Sequence, residues 1–312
     1  MANGSGWSIN GKQASGIALG THYLGSRLSD EESFRILDTY VALGGNVIDT
    51  ARGYGESEAC VGRWMASRKN REQIILMTKC VNPEITYTGT GSTVRHRLDP
   101  AEMESDIGQS LRALQTDHFD ILYLHKDDPS VPAADAFDWL VPYREKGIAA
   151  EIGASNWTAA RIAAANAYAT QCGKKGFAFS ELSFSLKDHV TAGWGEAELA
   201  LEMDATEFAA YRANGLPVIG YSAQAYGFFF KPLTPDVSPK NRLLYDALHE
   251  IARKNGLSVH EALFGFYHGC GISETPLITG STPERIREAM SGAKTILPAE
   301  DVRTLLRLRF GL

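Results

Sequence analysis

Short apolar runs alternate with longer amphipathic stretches along the whole chain. Runs with strand character cover Gly16–Gly20, Asn46–Asp49, Ile74–Lys79, Phe119–Leu124, Ile148–Ala154, Phe179–Leu182, Leu216–Tyr221 and Thr275–Ile278. Their length and apolar content fit strands buried on both faces. Helical spacing lies between them, as in Ser33-Phe34-Arg35-Ile36-Leu37, from Met103 to Leu114 and from Leu243 to Ala252. Ser29, ahead of Glu31 and Glu32, predicts a capped helix start, and Gly44-Gly45 predicts its stop. Eight strand runs, each followed by helical material, predict an α/β fold. The expected form is a (β/α)8 TIM barrel of parallel strands with outer helices. An open doubly wound sheet is the competitor, but no G-x-G-x-x-G follows the first strand, where the chain reads ALGTHYLG. No linker rich in Pro, Gly or Ser divides the chain, so residues 1–312 read as one domain. Tyr87–Arg97 (YTGTGSTVRHR) reads as a long irregular stretch, either a substrate loop or a flexible insertion.

Composition narrows the class. A formal charge of −6 lacks the basic excess of a nucleic-acid surface. No apolar run approaches the ~20 residues of a membrane span, and the first residues, MANGSGWSINGKQ, lack the pattern of a signal peptide. The 4 cysteines, Cys60, Cys80, Cys172 and Cys270, lie far apart. That spacing excludes a thiolate zinc cluster and a disulfide scaffold, and it fits a cytoplasmic protein. No metal site is expected.

Chemistry in such a barrel belongs at the C-terminal ends of the strands, and here those ends are polar. Asp49, Lys79 and His125 close three successive runs, Ser155-Asn156 closes another, and Tyr221-Ser222 another. Tyr54 stands between Gly53 and Gly55, whose backbone freedom would let its ring turn over the barrel mouth. A tyrosine near a buried lysine paired with an aspartate is a tuned general acid, because the ammonium favours the phenolate. Each residue alone has a plainer reading: Asp49 as a helix cap, Lys79 reaching out to solvent, His125 as a structural histidine.

As a set, VIDTARGYG, LMTK and LYLH carry Asp49, Tyr54, Lys79 and His125, and they resemble the catalytic tetrad of the aldo-keto reductases. The resemblance runs from Gly20-Thr21 to Arg285. It implies that Tyr54 protonates a carbonyl, that Lys79 and Asp49 tune it, and that His125 orients the carbonyl while a nicotinamide delivers hydride. It also implies a cofactor site. Ser155 and Asn156 in GASN would bind the carboxamide, Tyr221 in GYSAQ would stack on its ring, and Ser222 would begin the pyrophosphate loop. Glu181 in SELSFSL stands where the family usually has Gln, which brings a charge to the carboxamide contact.

In Gly280-Ser281-Thr282-Pro283-Glu284-Arg285, Thr282 suits an N-cap and Pro283 the first helical position. Arg285 then opposes the helix dipole unless an anion sits at the helix end. The resemblance assigns this segment, through Arg285 and Glu288, to the adenosine phosphate. NADPH is therefore expected, with NADH as the alternative, because Thr279 and Ala289 depart from residues common in the family. Loop residues His22, Tyr23, Lys126, Asp127, Trp157, Tyr226 and Phe228 are candidates for the substrate pocket, with Tyr23, Trp157, Tyr226 and Phe228 chosen as its aromatic wall. The expected partner is a small-molecule carbonyl, such as a sugar or aromatic aldehyde, with no nucleic acid and no membrane. Rival functions are a cofactor-binding sensor or regulatory subunit on the same barrel, and a lyase forming a Schiff base on Lys79.

Overall fold

The computed structural model describes residues 6–88, 91–190 and 199–312, the side chains of Thr88 and Gly91 excepted. The chain opens with a small antiparallel hairpin, β1 (Ser8–Ile9) and β2 (Lys12–Gln13), turned by Asn10 and Gly11, both at positive φ. Asn-Gly is the pair that such a tight hairpin turn favours. The barrel strands and helices then alternate: β3 (Ala18–Gly20), α1 (Asp30–Ala42), β4 (Val47–Asp49), α2 (Ser57–Arg68) and β5 (Ile75–Cys80). A second hairpin, β6 (Glu84–Thr88) and β7 (Gly91–Arg95), precedes α3 (Pro100–Leu114), β8 (Phe119–Leu124), α4 (Ala133–Glu145) and β9 (Ala149–Ser155). There follow α5 (Ala159–Gln171), β10 (Phe179–Ser183), α6 (Ala205–Asn214), β11 (Val218–Tyr221), α7 (Pro239–Asn255) and α8 (Val259–Gly269). The last elements are β12 (Glu274–Ile278), α9 (Pro283–Met290) and α10 (Ala299–Phe310).

Strands β3, β4, β5, β8, β9, β10, β11 and β12 close into one parallel barrel in that order. All eight coincide with the strand runs read from the sequence. Ser29 caps α1 through a full capping box with Glu32, and Gly44 follows the helix at φ +88°. The stretch from Tyr87 to Arg97 corrects the sequence reading. It is the greater part of a hairpin in which Ile85 pairs with Val94 and Tyr87 with Ser92, rather than an irregular loop.

Alternation along the strands separates two cores. Outward residues such as Ile48, Leu76, Leu122, Ile152, Leu182 and Ile278 meet the helices. Inward residues Val47, Ile75, Met77, Ile121, Phe179, Ile219 and Leu277 fill the barrel. The first hairpin plugs the barrel bottom: Trp7 packs edge-on against Phe179 and donates to Thr275 Oγ1 at 2.9 Å. Buried Asp120 anchors that end to Lys12 at 2.6 Å and Arg71 at 2.9 Å. With the bottom sealed, the top is the open end. There the inward positions turn polar, at Asp49, Lys79, Ser155, Glu181 and Tyr221.

Candidate active site at the barrel mouth

Lys79 is fully buried at the end of β5. Its Nζ donates to Asp49 Oδ1 at 2.5 Å and Oδ2 at 2.7 Å, and to the Thr50 carbonyl at 3.1 Å. Glu181 Oε1, from across the barrel, lies 3.2 Å away. Burial works against the charge on Lys79, but Asp49 and Glu181 outweigh it and hold the group as an ammonium above its ordinary range. Burial likewise lifts Asp49 above the usual aspartate range, while Lys79 pulls it down. Burial and the negative field of Asp49 push Glu181 up to about 8.

Tyr54 lies over this pair, with Lys79 Nζ 5.1 Å from its ring centroid. The local backbone demands its two glycines: Gly55 has φ +59°, and a Cβ on Gly53 would crowd the Asn82 side chain at 3.0 Å. The ring is gripped edge-on by two histidines, His22 at 4.8 Å and His125 at 5.5 Å between centroids. One sequence expectation needs correction in sign. Burial raises Tyr54 above the ordinary phenol; Lys79 lowers it, but Asp49 and Glu181 raise it, so the net shift is upward. At neutral pH the phenol keeps its proton.

Burial, together with Lys79, Lys126 and His22, pushes His125 well below its ordinary range, so the imidazole is neutral. Its backbone is fixed on both sides, with N–H donating to Cys80 O at 3.0 Å and C=O accepting from Asn156 Nδ2 at 3.1 Å. His125 Nδ1 has no protein partner. A neutral imidazole carries one N–H and one acceptor nitrogen, which suits it to aligning a carbonyl rather than to supplying a charge.

A cavity of about 840 Å³ runs from this cluster across the barrel mouth. Asp49, Tyr54, His125, Ser155, Asn156, Glu181, Tyr221 and Ser222 line one part, and Gly280, Ser281, Arg285 and Glu288 line the far part. Asn156, at φ +60°, is fully engaged: Nδ2 also donates to Ser155 Oγ, while Oδ1 accepts from Tyr221 Oη at 2.6 Å and Leu201 N at 3.1 Å. It therefore organises the floor of the cavity that it lines. Glu181 Oε2, by contrast, is buried without a partner at the cavity. After β11, Ser222, Ala225, Tyr226 and Gly227 all take positive φ. Two N–H groups of this turn are engaged within it, Ala225 N–H donating to Ser222 O at 2.9 Å and Gly227 N–H to Gln224 O at 2.8 Å. Arg285 projects from the first turn of α9 and donates to Ser281 Oγ at 3.1 Å; Glu284 pairs with Arg287 instead, at 3.2 Å.

Tyr23 and Tyr226 face the cavity as expected. Trp157 does not. It is fully buried, packed on Phe177 and covered by Arg161, directly ahead of the α5 N-cap Thr158. Phe228 lies off the lining against Phe229 and Tyr245, and Asp127 is held by Arg161 at 2.7 Å. Thr282 caps α9 through the Arg285 N–H and lies outside the lining. Beyond the candidates named singly, Asn82, Tyr87, Lys231 and His260 also line the cavity, Tyr87 from the stretch that the sequence offers as a substrate loop. No spacing marks the other three.

The sequence model of the Aldo/keto reductase family matches residues 16–309. The chain belongs to that family. It is thus an oxidoreductase, and carbonyl reduction with a nicotinamide cofactor is the chemistry the family supports. An aryl-alcohol dehydrogenase of Pestalotiopsis microspora is 26% identical, over 93% of this chain and 76% of its own length. Several other relatives are matched over half of their length or less. The aldo-keto reductase AusK of Aspergillus calidoustus is 33% identical over 66% of this chain and 50% of that protein. Among solved structures, an aldo-keto reductase from Bacillus halodurans in its holo form superposes with a TM-score of 0.72 at 19% identity. That match covers 98% of this chain and 96% of the other, and it shows the shared barrel. Among the described residues of this aldo/keto reductase, no helix is long and apolar enough to cross a membrane.

Proposed function

We propose that the protein reduces an aldehyde or ketone to the alcohol with NADPH, Tyr54 donating the proton. The observation that carries this reading is the buried Lys79, paired with Asp49 at 2.5 Å directly beneath a protonated Tyr54 and beside a neutral His125. When bound, the cofactor supplies hydride to the carbonyl carbon. His125 and Tyr54 hold the carbonyl oxygen from two sides before charge develops on it. Tyr54 gives its proton to that oxygen, and the ammonium of Lys79 stabilises the phenolate left behind. Asp49 keeps Lys79 charged through the cycle, and a solvent proton restores the phenol.

The residues present fit a nicotinamide nucleotide. Glu181 Oε2, buried at the cavity without a partner, would accept an amide N–H. Ser222, just after β11, lines the cavity, and Arg285 with Ser281 offers a cation and a hydroxyl at the far end. That far cation favours the additional phosphate of NADPH over NADH. Three aromatic rings at the mouth, Tyr23, Tyr87 and Tyr226, favour a flat or aryl carbonyl compound. Relatives named for aryl alcohols and for norsolorinic acid agree with that class. Four free thiols, three of them buried, support a cytoplasmic setting.

Tyr54→Phe tests the reading. NADPH consumption with aromatic aldehydes should fall by about 10²–10⁴-fold, while NADPH still quenches protein fluorescence. The wild type should consume NADPH faster than NADH. Turnover in the variant within a few-fold of wild type overturns Tyr54 as the acid.

A further inference from the structure

Lys79 faces two buried carboxylates, and the reaction needs only one of them to keep it charged. Asp49 is the close partner at 2.5 Å; Glu181 is the second, at 3.2 Å and 2% exposed. A second negative charge this deep is costly unless it too is compensated; Glu181 Oε2 meets no N–H donor, and the carboxyl shares a hydrogen bond with Asp49. We propose that Glu181 is a positioning residue for proton transfer: as the second counter-ion of Lys79, it weakens the ammonium's hold on the Tyr54 phenolate. In doing so it sets the pH at which Tyr54 changes from proton donor to proton acceptor. This rests on the reductase reading above.

The groups facing Glu181 are few. Asp49 comes from β4, Lys79 from β5, Tyr123 from β8, Lys126 from the turn after β8, and Tyr221 from β11, with Tyr54 over the mouth. On β9 its paired neighbour is the uncharged Ser155. Asp49 and the two lysines decide its ionisation, with burial and Asp49 disfavouring the charge and Lys79 and Lys126 favouring it. While Glu181 keeps its proton, Lys79 and Asp49 cancel, and the ammonium's attraction for a phenolate is opposed by one carboxylate. Once Glu181 ionises, near pH 8, two carboxylates oppose it. Tyr54 then releases its proton less readily, and the phenol persists as a donor to higher pH. A glutamine here would leave the cluster at one carboxylate at every pH.

The test compares wild type with Glu181→Gln. Reduction needs the phenol and alcohol oxidation needs the phenolate, so both limbs report the same ionisation. In the variant, the pH at which reduction declines and oxidation rises should move down by about one to two units. A purely structural role would lower rates without moving either limb, and unmoved limbs overturn the proposal. A second readout uses the protein without cofactor. A carboxyl whose pKa rises on folding is stabilising below its unfolded value and loses that contribution as pH rises to the folded value. The wild-type melting temperature should therefore fall between about pH 4.5 and pH 8 by an amount absent in Glu181→Gln. Parallel melting profiles for the two proteins overturn the proposal irrespective of turnover. Wild-type protein that reduces no carbonyl overturns the reductase reading, and with it the role given to Glu181. Wild-type turnover with unmoved limbs overturns the role of Glu181 alone.

Discussion

Glu274 begins β12 on the face turned toward the helices, and its carboxyl occupies space that a side chain at Gly220 would need. Neither oxygen has a hydrogen-bond partner, and burial raises the group well above the ordinary glutamate range. It is thus a neutral acid in the fold and an ionised one in the unfolded chain. The sign follows: its contribution to stability is fully present below the unfolded pKa and is lost as pH rises toward the folded one. Glu274→Met, similar in volume and without polar atoms, should be more stable by about 1–3 kcal/mol at pH 7. Urea unfolding at pH 7 and pH 4.5 checks this, and the gain should narrow at the lower pH. A gain independent of pH would mean that packing, not the proton, is responsible. Polarity hides such a residue in the sequence. The apolar run starts at Thr275, so Glu274 reads as part of the preceding turn, whereas the structure pairs it with Val218 inside the sheet. Tyr54, Lys79 and His125 were legible for the opposite reason. Lys79 and His125 fall at strand ends, where a barrel gathers side chains into one space, and Tyr54 is marked by the glycine on either side of it.

Among the elements, the eight barrel strands were readable because each is a buried apolar run with its own helix. The hairpin β6–β7 was not, because its apolar face is only Ile85, Tyr87 and Val94 and none of them enters a core. Its strands alternate threonines with Ile85, Tyr87 and Val94, and Tyr87 and Val94 remain exposed. Charge fixes its root instead: Arg95 bonds Glu84 and Glu102, and Arg97 bonds Glu102 and Asp106. Asp106 in turn accepts from Val81 N at 2.8 Å, which ties the hairpin to the end of β5 just past Lys79. Tyr87 hangs from this frame into the cavity while 63% exposed. An exposed ring supports no core, so Tyr87→Ala should change stability by no more than about 0.5 kcal/mol. Its effect belongs to binding. KM for aromatic aldehydes should rise several-fold, with KM for small aliphatic ones unchanged, in steady-state assays of both classes. Equal increases for the two classes would remove Tyr87 from substrate recognition. Trp157 was misplaced because an aromatic after a strand end can face the mouth or the helix layer, and its packing on Phe177, beyond α5, lies outside the local pattern.

At the scale of the molecule, contacts between distant segments decide whether the mouth keeps its shape. Arg309, near the end of α10, is 4% exposed and reaches the long connection between β10 and α6. It donates to Ser185 O and Met203 O at 3.1 Å each, pairs with Asp188 at 2.5 Å and meets Glu202 at 3.2 Å. No local pattern reveals this arginine, because its partners lie more than a hundred residues away. In the sequence it is one basic residue in the last turn of an amphipathic helix. The connection it holds begins at Ser183, two residues beyond Glu181, and Ser183 bridges back to Glu202. Replacing Arg309 by Met keeps the stem packed but leaves Asp188 and Glu202 without their buried cation. Loss of one partner from a buried ion pair costs about 3–5 kcal/mol, and thermal or urea unfolding should read that loss. Lys240 remains 3.1 Å from Asp188, and Val190 N–H still donates to Glu202 at 3.3 Å, so each acid keeps part of its compensation. The double variant Arg309→Met with Glu202→Gln should recover part of the stability. If it recovers none, the arginine acts through its two carbonyl contacts, and the connection is held by hydrogen bonds rather than by charge.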